Sequence, residues 1–451
     1  MDTDTRLQKY VLLMVLLNAF TTPMMLSAVN VALPHIARDL DMTAVQLTWI
    51  PMAYLMASAM FVLIFGRLAD IYGRKRIFLI GTVSVILTSS LAAFSTSDVF
   101  ILIARFLQGV SAAMLYATQV AIITSVFPKE KRGHMIGFTV SAIYLGLTVG
   151  PMLGGYLIDE FNWRAGFVFH IPLALLVILI ALTRVKGEWS SDHPGSIDIP
   201  GSLLYIATLG FLCYGVSAIP GIQGVLCIFL SLVGFWLFFR LQHKSGSPVL
   251  DVSLFYTNRV FSFSCIASAI LYTATFANVV LISLYLQYLQ NMSAAGAGMV
   301  MMIQPLIMAL FSPLAGRLSD RIQPRLIATL GLFTSMIGLL VLAGMTAESN
   351  IKTVILALAL TGLGFALFSS PNVNAIMSSV ERKFYGSATG VLATMRIVGQ
   401  LFSMILVTTV FSFFLGSSLI TEENYDLLQR AISVTFCIAS AICIPGILFS
   451  H

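Results

Sequence analysis

Two arginines, Arg105 and Arg396, lie inside long apolar stretches, where a charged side chain is costly and normally faces a partner or a wet cavity. Two chemistries suit such a residue. It can cap backbone carbonyls where a helix breaks, or it can serve a proton-linked polar network or a site for an anionic group. Polar neighbours at similar depth are Gln108, Tyr116, Gln119 and His170 in the first half of the chain. The second half holds Asn278, Gln304, Asn372, Asn374 and Gln400. Each can bond a neighbouring helix or touch a ligand, and an imidazole such as His170 titrates near neutral pH. Acids are missing from this set. All nineteen Asp and Glu residues fall in loops or at helix ends, which leaves Asp39, Asp70 and Asp159 as carboxylates that closure could bury.

The stretches that must position these residues are membrane helices. Hydrophobic residues make up 58% of the chain and charged ones 10%, against about 25% charged in a soluble domain. A bilayer core of ~30 Å needs ~20 apolar residues per helix. That ruler predicts fourteen spans, at about 10–33, 46–66, 76–96, 99–127, 135–158, 165–185, 201–219, 222–242, 260–289, 295–316, 325–345, 351–378, 386–414 and 430–449. The first is too long for a signal-peptide core. With the N-terminus inside, nineteen basic residues fall on the cytoplasmic face and four (Arg38, Arg164, Lys352 and Arg430) on the other. The positive-inside rule therefore expects both termini in the cytoplasm.

Other classes lack support. The basic residues cluster between apolar spans with no aromatic-interleaved patch, which argues against nucleic acid. The five cysteines lie in apolar spans without metal-ligand spacing, so neither a metal site nor a disulfide framework is expected. No phosphate-binding lysine loop or nucleophile elbow occurs, and no cofactor is implied. The His193-x4-Asp198 spacing found in some acyltransferases sits in a short polar linker without a catalytic domain, and chance accounts for it.

The chain repeats itself. Gly66-Arg67-Leu68-Ala69-Asp70-Ile71-Tyr72-Gly73-Arg74-Lys75-Arg76 finds a partner 250 positions later in Gly316-Arg317-Leu318-Ser319-Asp320-Arg321. Gly109, Gly133 and Gly137 match Gly362, Gly386 and Gly390 at an offset of 253. Parallel six-helix halves place a substrate site between them near mid-membrane. The expected organisation is 1–186 as the first bundle and 260–451 as the second. Between them, 187–259 is a linker carrying two extra helices at about 201–242. Within it, Pro248, Leu250, Val252, Leu254 and Phe255 suggest a short interfacial helix.

These runs resemble the major facilitator superfamily. The Gly66–Arg76 loop is similar to its inter-helix signature, and Arg105-Phe106-Leu107-Gln108-Gly109 resembles its second motif. Gly146-x3-Gly150-Pro151-x2-Gly154-Gly155 resembles the antiporter motif of its drug-exporting branches. Asn162-Trp163-Arg164 and Phe169-His170-Ile171-Pro172, with fourteen helices, look like the fourteen-helix drug:proton antiporter branch. The resemblance implies an all-α transporter rather than an enzyme. Gly66, Asp70, Gly73, Arg74, Gly316 and Asp320 would be its cytoplasmic latches, and the glycines around Pro151 part of its moving gate. It further implies a multi-pass protein of the plasma (inner) membrane that exports small amphipathic molecules as a monomer, with protons as the candidate coupling ion.

One departure bears on that coupling. The branch often carries an aspartate in its first helix, before Asn-Val-Ala-Leu-Pro. Here Asn30-Val31-Ala32-Leu33-Pro34 is intact, but Met25 stands at the aspartate position and Ser27 at a threonine position. A uniporter, or an otherwise coupled exporter of neutral or anionic amphiphiles, is therefore the alternative. A channel or a non-transporting receptor is the alternative class.

Overall fold

The protein is described from a computed structural model covering residues 2–190, 196–244, 258–319, 321–380 and 385–449. Fourteen helices in it are long and apolar enough to cross a membrane. In chain order they are α1 (Asp2–Asp39), α2 (Ala44–Tyr72), α3 (Arg74–Ala93), α4 (Asp98–Val126), α5 (Lys129–Glu160), α6 (Ala165–Thr183) and α7 (Ile199–Ser217). Then follow α8 (Ile222–Lys244), α9 (Arg259–Leu289), α10 (Ala294–Ser319), α11 (Pro324–Ala343), α12 (Ile351–Ser379), α13 (Tyr385–Phe414) and α14 (Tyr425–Phe449). No strand occurs among the described residues. The interfacial helix expected near 248–255, the His193 of the linker and Asp320 lie outside the described residues.

Helix starts follow ordinary capping chemistry. Thr43 and Gln46 form a reciprocal box at α2, with bonds of 2.8 and 3.2 Å. Ser97, Asn258, Ser293 and Asn350 cap α4, α9, α10 and α12 by accepting from backbone N–H groups. Asp198 caps α7 through Gly201 N–H at 2.9 Å and receives Gln242 Nε2 at 2.7 Å. The carboxylate of the linker's His-x4-Asp pattern is thus a helix cap tied to α8.

Several helices run past their apolar cores. α1 was expected at about 10–33 and extends to Asp39, because nothing in its polar ends breaks the helix, and Pro23 and Pro34 are accommodated inside it. α9 is interrupted at Phe276 and ends in a π-helical turn, Tyr285–Leu289.

In the first half, α1 packs on α5, and α2 and α3 pack on α4. In the second, α12 packs on α10 and α11, while α9 packs on α13 and α11 on α14. Across the halves, α5 meets α10 and α2 meets α13. The α7–α8 pair packs on itself and leans through α7 on α2 and α13, beside that seam. On α8, Val225, Leu226, Phe229, Leu232 and Trp236 are exposed, as side chains meeting lipid tails are.

The α1–α5 crossing brings backbones into contact over several turns. A Cβ on Gly146, Gly150 or Gly154 would stand closer than real contacts allow to Phe20 O, to Ser27 Oγ and Met24 O, or to Ala28. Small residues at this spacing share one face and let backbones touch. Gly146→Ala should therefore cost about 1–3 kcal/mol, read as a lowered unfolding midpoint in detergent. Gly133→Ala, which meets nothing within 4 Å, should leave the midpoint unchanged. Equal midpoints for the two variants would refute this account of the crossing.

Candidate functional site

The face bearing Gly73, here the basic face, is built from short-range bonds within each half. Gly73 turns between α2 and α3 at φ +107°, a conformation that L side chains rarely adopt. Arg74 donates to Asp70 at 2.8 and 3.1 Å, to Ala121 O at 3.2 Å and to Ser125 Oγ at 2.6 Å. Asp70 therefore holds α2 and α3 to α4 through Arg74. Glu188 accepts the N–H groups of Lys75 and Arg76 at the start of α3, where the helix dipole favours a carboxylate. In the second half, Gly316 approaches Ser370, and Asn374 Nδ2 donates to Ser319 Oγ at 2.8 Å.

The second motif is a buried core element. Arg105 has no exposed surface. It donates through Nε to Ile50 O at 3.1 Å and lies 4.6 Å from the Tyr54 ring centroid, with a short bond to Gln108. Gln108 passes the chain on to Ser89 at 2.7 Å, and Ser89 Oγ meets His170 Nε2 at 3.3 Å. Arg105, Gln108 and His170 thus form one network inside the first half. Asn372 does similar work in the second, donating to Ser264 O at 3.1 Å and Ser268 Oγ at 2.7 Å.

On the opposite face, hydrogen bonds cross between the halves. Thr48 and Thr408 meet at 2.8 Å, and Ala44 N–H donates to Ser418 O at 3.0 Å. Gln287 donates to Val31 O at 2.9 Å and Tyr288 to Pro34 O at 3.3 Å. Arg38 sits 4.8 Å from the Tyr288 ring centroid. Asp159, at the end of α5, accepts the N–H groups of Ala294 at 3.1 Å and Ala295 at 2.8 Å, capping α10 across the seam. Just beneath, Gly155 packs against the backbone of Ala294, and Gly298 against Pro151 O. Asp39, by contrast, stays within its half, receiving Trp163 Nε1 and Arg164, both at 2.9 Å. That clamp accounts locally for the Trp163-Arg164 pair.

Between the faces lies a cavity of about 310 Å³ walled by both halves. The first half contributes Thr22, Ser27, Tyr116, Gln119, Tyr144 and Pro151, and the second Tyr272, Asn278, Gln304, Phe365, Arg396 and Gln400. Near mid-membrane, Tyr144 donates to Ser369 Oγ at 3.4 Å across the seam. The wall reaches toward the basic face at Ile136, Met377 and Leu392. Nearby, Gly133, Gly137 and Gly390 are exposed, with open space where a Cβ would stand. Bonds between the halves thus shut the chamber at the Asp159 face.

Of the expected cavity residues, Tyr116, Gln119, Asn278, Gln304, Arg396 and Gln400 line this wall together. Arg105, Gln108, His170, Asn372 and Asn374 do not. Thr22, Tyr144, Tyr272 and Phe365 escaped the sequence reading, because hydroxyls and rings in apolar helices look the same whether they face a neighbour or a void. Asp159 drew notice only as a titratable helix end, and nothing in the chain signalled its partner.

Two helical halves around a shared central chamber define a polytopic membrane transporter. The sequence profile of the Major Facilitator Superfamily matches residues 15–200 and 264–450, and the chain belongs to that family. It is 29% identical over 98% of its length to the riboflavin transporter RibZ of Clostridioides difficile (strain 630), covering 97% of that protein. It is 31% identical over 92% of its length to the multidrug resistance protein Stp of Mycobacterium tuberculosis (strain ATCC 25618 / H37Rv), covering 78%. Among solved structures, a peptide transporter POT in complex with sulfate shares the fold at a TM-score of 0.69 and 13% identity, over 96% of this chain and 94% of that one. The human organic anion transporter MFSD10 (TETRAN) does so at 0.64 and 15%, over 99% of both.

Removing the carboxylate of Asp159 should loosen the closed face. Loss of such a cap costs about 0.5–2 kcal/mol, so Asp159→Ala should raise opening at that face roughly 2- to 30-fold. The reporter is a cysteine introduced as Ile282→Cys, a buried wall residue. A membrane-impermeant thiol reagent added from the Asp159 side should label it faster, measured against the protein without that cysteine. An unchanged rate would remove Asp159 from the seal.

Proposed function

We propose that this protein is a secondary active transporter that exports small amphipathic molecules by alternating access, with 1–186 and 260–451 as the moving halves. The α7–α8 pair within 187–259 rides beside the α2–α13 seam. The observation that carries the reading is the cavity of about 310 Å³ walled by both halves and closed at one face by bonds between them. Its lining is mostly apolar with a few amides and tyrosines, the mixture that suits amphipathic cargo. Relatives named for riboflavin transport and for multidrug resistance agree with cargo of that size. The uneven split of basic residues supports placing the basic face, and both termini, in the cytoplasm of a plasma (inner) membrane. In that orientation the chamber takes cargo from the cell interior. The protein would act as a monomer, since the cavity is complete within one chain.

Proton exchange comes with the family resemblance. A second reading, uniport or another coupling ion, is favoured by one observation: among the described residues no carboxylate lines the cavity, and His170 lies outside its wall. Purified protein in liposomes with an imposed pH gradient and an internal pH dye decides between them. Saturable counterflow of an amphipathic substrate is expected. Internal alkalinisation when substrate is added outside would establish antiport and internal acidification symport, whereas cargo movement with a silent dye would establish the second reading. No saturable movement of any amphiphile would refute the transporter reading itself.

A further inference from the structure

Resting on that reading, we infer that the chamber selects organic anions: cargo with a carboxylate or sulfonate head and an aromatic body, the head held by Arg396. Among the described residues, Arg396 is the only charged one in the cavity wall. It is half-buried, its Nε has no hydrogen-bond partner, and no ion pair to it is present among the described residues. The Tyr272 ring centroid lies 5.7 Å from its guanidinium carbon, and the Cys265 thiol is close enough to feel its charge. Arg105 shows what a structural arginine looks like here: its Nη2 is also unpartnered, but the group is fully enclosed and bonded to Ile50 O and Gln108. Arg396 has no such partners and opens on the void.

A guanidinium left unpaired at mid-membrane is costly, and a planar two-oxygen anion meets its fork with two charge-assisted bonds. A cation entering the same chamber would meet a positive charge with no carboxylate to offset it. Around Arg396 the wall suits a ring. Tyr272 and Phe365 meet edge to face at 5.1 Å and 83°, leaving aromatic surface along the cavity. Gln400 sits one helical turn from Arg396 on α13. Asn278 Oδ1 is buried without a partner, while its Nδ2 lies 3.4 Å from Gln304 Oε1. These amides can hold polar groups beyond the anionic head.

The test uses three probes of one shape: naphthalenesulfonate, naphthalenesulfonamide and naphthylmethylammonium. Binding is read by fluorescence in detergent. Transport is read by counterflow in vesicles of phosphatidylcholine alone, so that no anionic headgroup competes. The sulfonate should bind and move saturably, ahead of the neutral probe and well ahead of the cation. Arg396→Gln should weaken the sulfonate about tenfold or more and the sulfonamide much less, and the sulfonamide binding that remains shows that the variant folds. Arg396→Lys should recover part of the sulfonate affinity. Preference for the cation, or equal sulfonate affinity in Arg396→Gln, would overturn the inference while transport stands. Sulfonate binding without counterflow would uphold the anion site and overturn the transporter reading instead. Competition by inorganic sulfate with the same affinity as naphthalenesulfonate would overturn the aromatic part. If adding phosphatidylglycerol to the vesicles abolishes sulfonate movement, Arg396 answers to a lipid headgroup and the cargo assignment fails.

Discussion

Backbone-to-backbone contact along α5 is the constraint on which the rest depends. On one face Gly146, Gly150 and Gly154 lay α5 directly on α1, and toward the other half Gly155 and Pro151 touch Ala294 and Gly298 of α10. Without side chains between them, α1, α5 and α10 stand close enough for Asp159 to reach two N–H groups of the second half. Their closeness also lets Gln287 and Tyr288 of α9 reach Val31 O and Pro34 O on α1. Such contacts gain dispersion energy from many small terms. They can form and part without exposing large side chains to lipid, which suits a surface that must open.

Charge is distributed to the same end. Asp70 with Arg74 and Asp39 with Arg164 are ion pairs inside the first half, at 2.8 and 2.9 Å. They tie helices together within that half and do not bridge to the other. Asp159 alone among these helix-end acids bonds across the seam, and it does so to backbone N–H groups rather than to a counter-charge. A carboxylate leaving such a cap finds water at once, since Asp159 is exposed, so opening does not strand a buried charge.

Much of this was legible in the chain. Apolar length revealed the fourteen helices, and the glycines before Gly155 marked a tight contact, whereas Gly66, expected to let helices approach closely, meets nothing within 4 Å. The sequence could not say which way a polar residue faces. Gln108 and Gln119 lie on one helix, yet Gln108 is spent on Arg105 and Ser89 while Gln119 meets the cavity. Helical periodicity sorts lipid-facing from inward-facing positions. In a bundle with an internal chamber, however, inward-facing residues divide again between packing and void, and composition is the same on both sides of that division.

The same limit frames the Met25 departure. Met25 is fully buried in the core, whereas its neighbours Leu26 and Ser27 line the cavity. On this backbone, then, an acid at position 25 would enter packed apolar surroundings rather than the chamber wall, and would need a polar partner to remain charged. Among the described residues, the only formal charge in the cavity wall is Arg396 on α13. A first helix that presents Thr22 and Ser27, and no acid, leaves that positive charge without a compensating partner in the wall. The missing aspartate and the unpaired arginine are therefore two sides of one electrostatic arrangement. Among the described residues the wall is left with a single positive charge, and the second half contributes it.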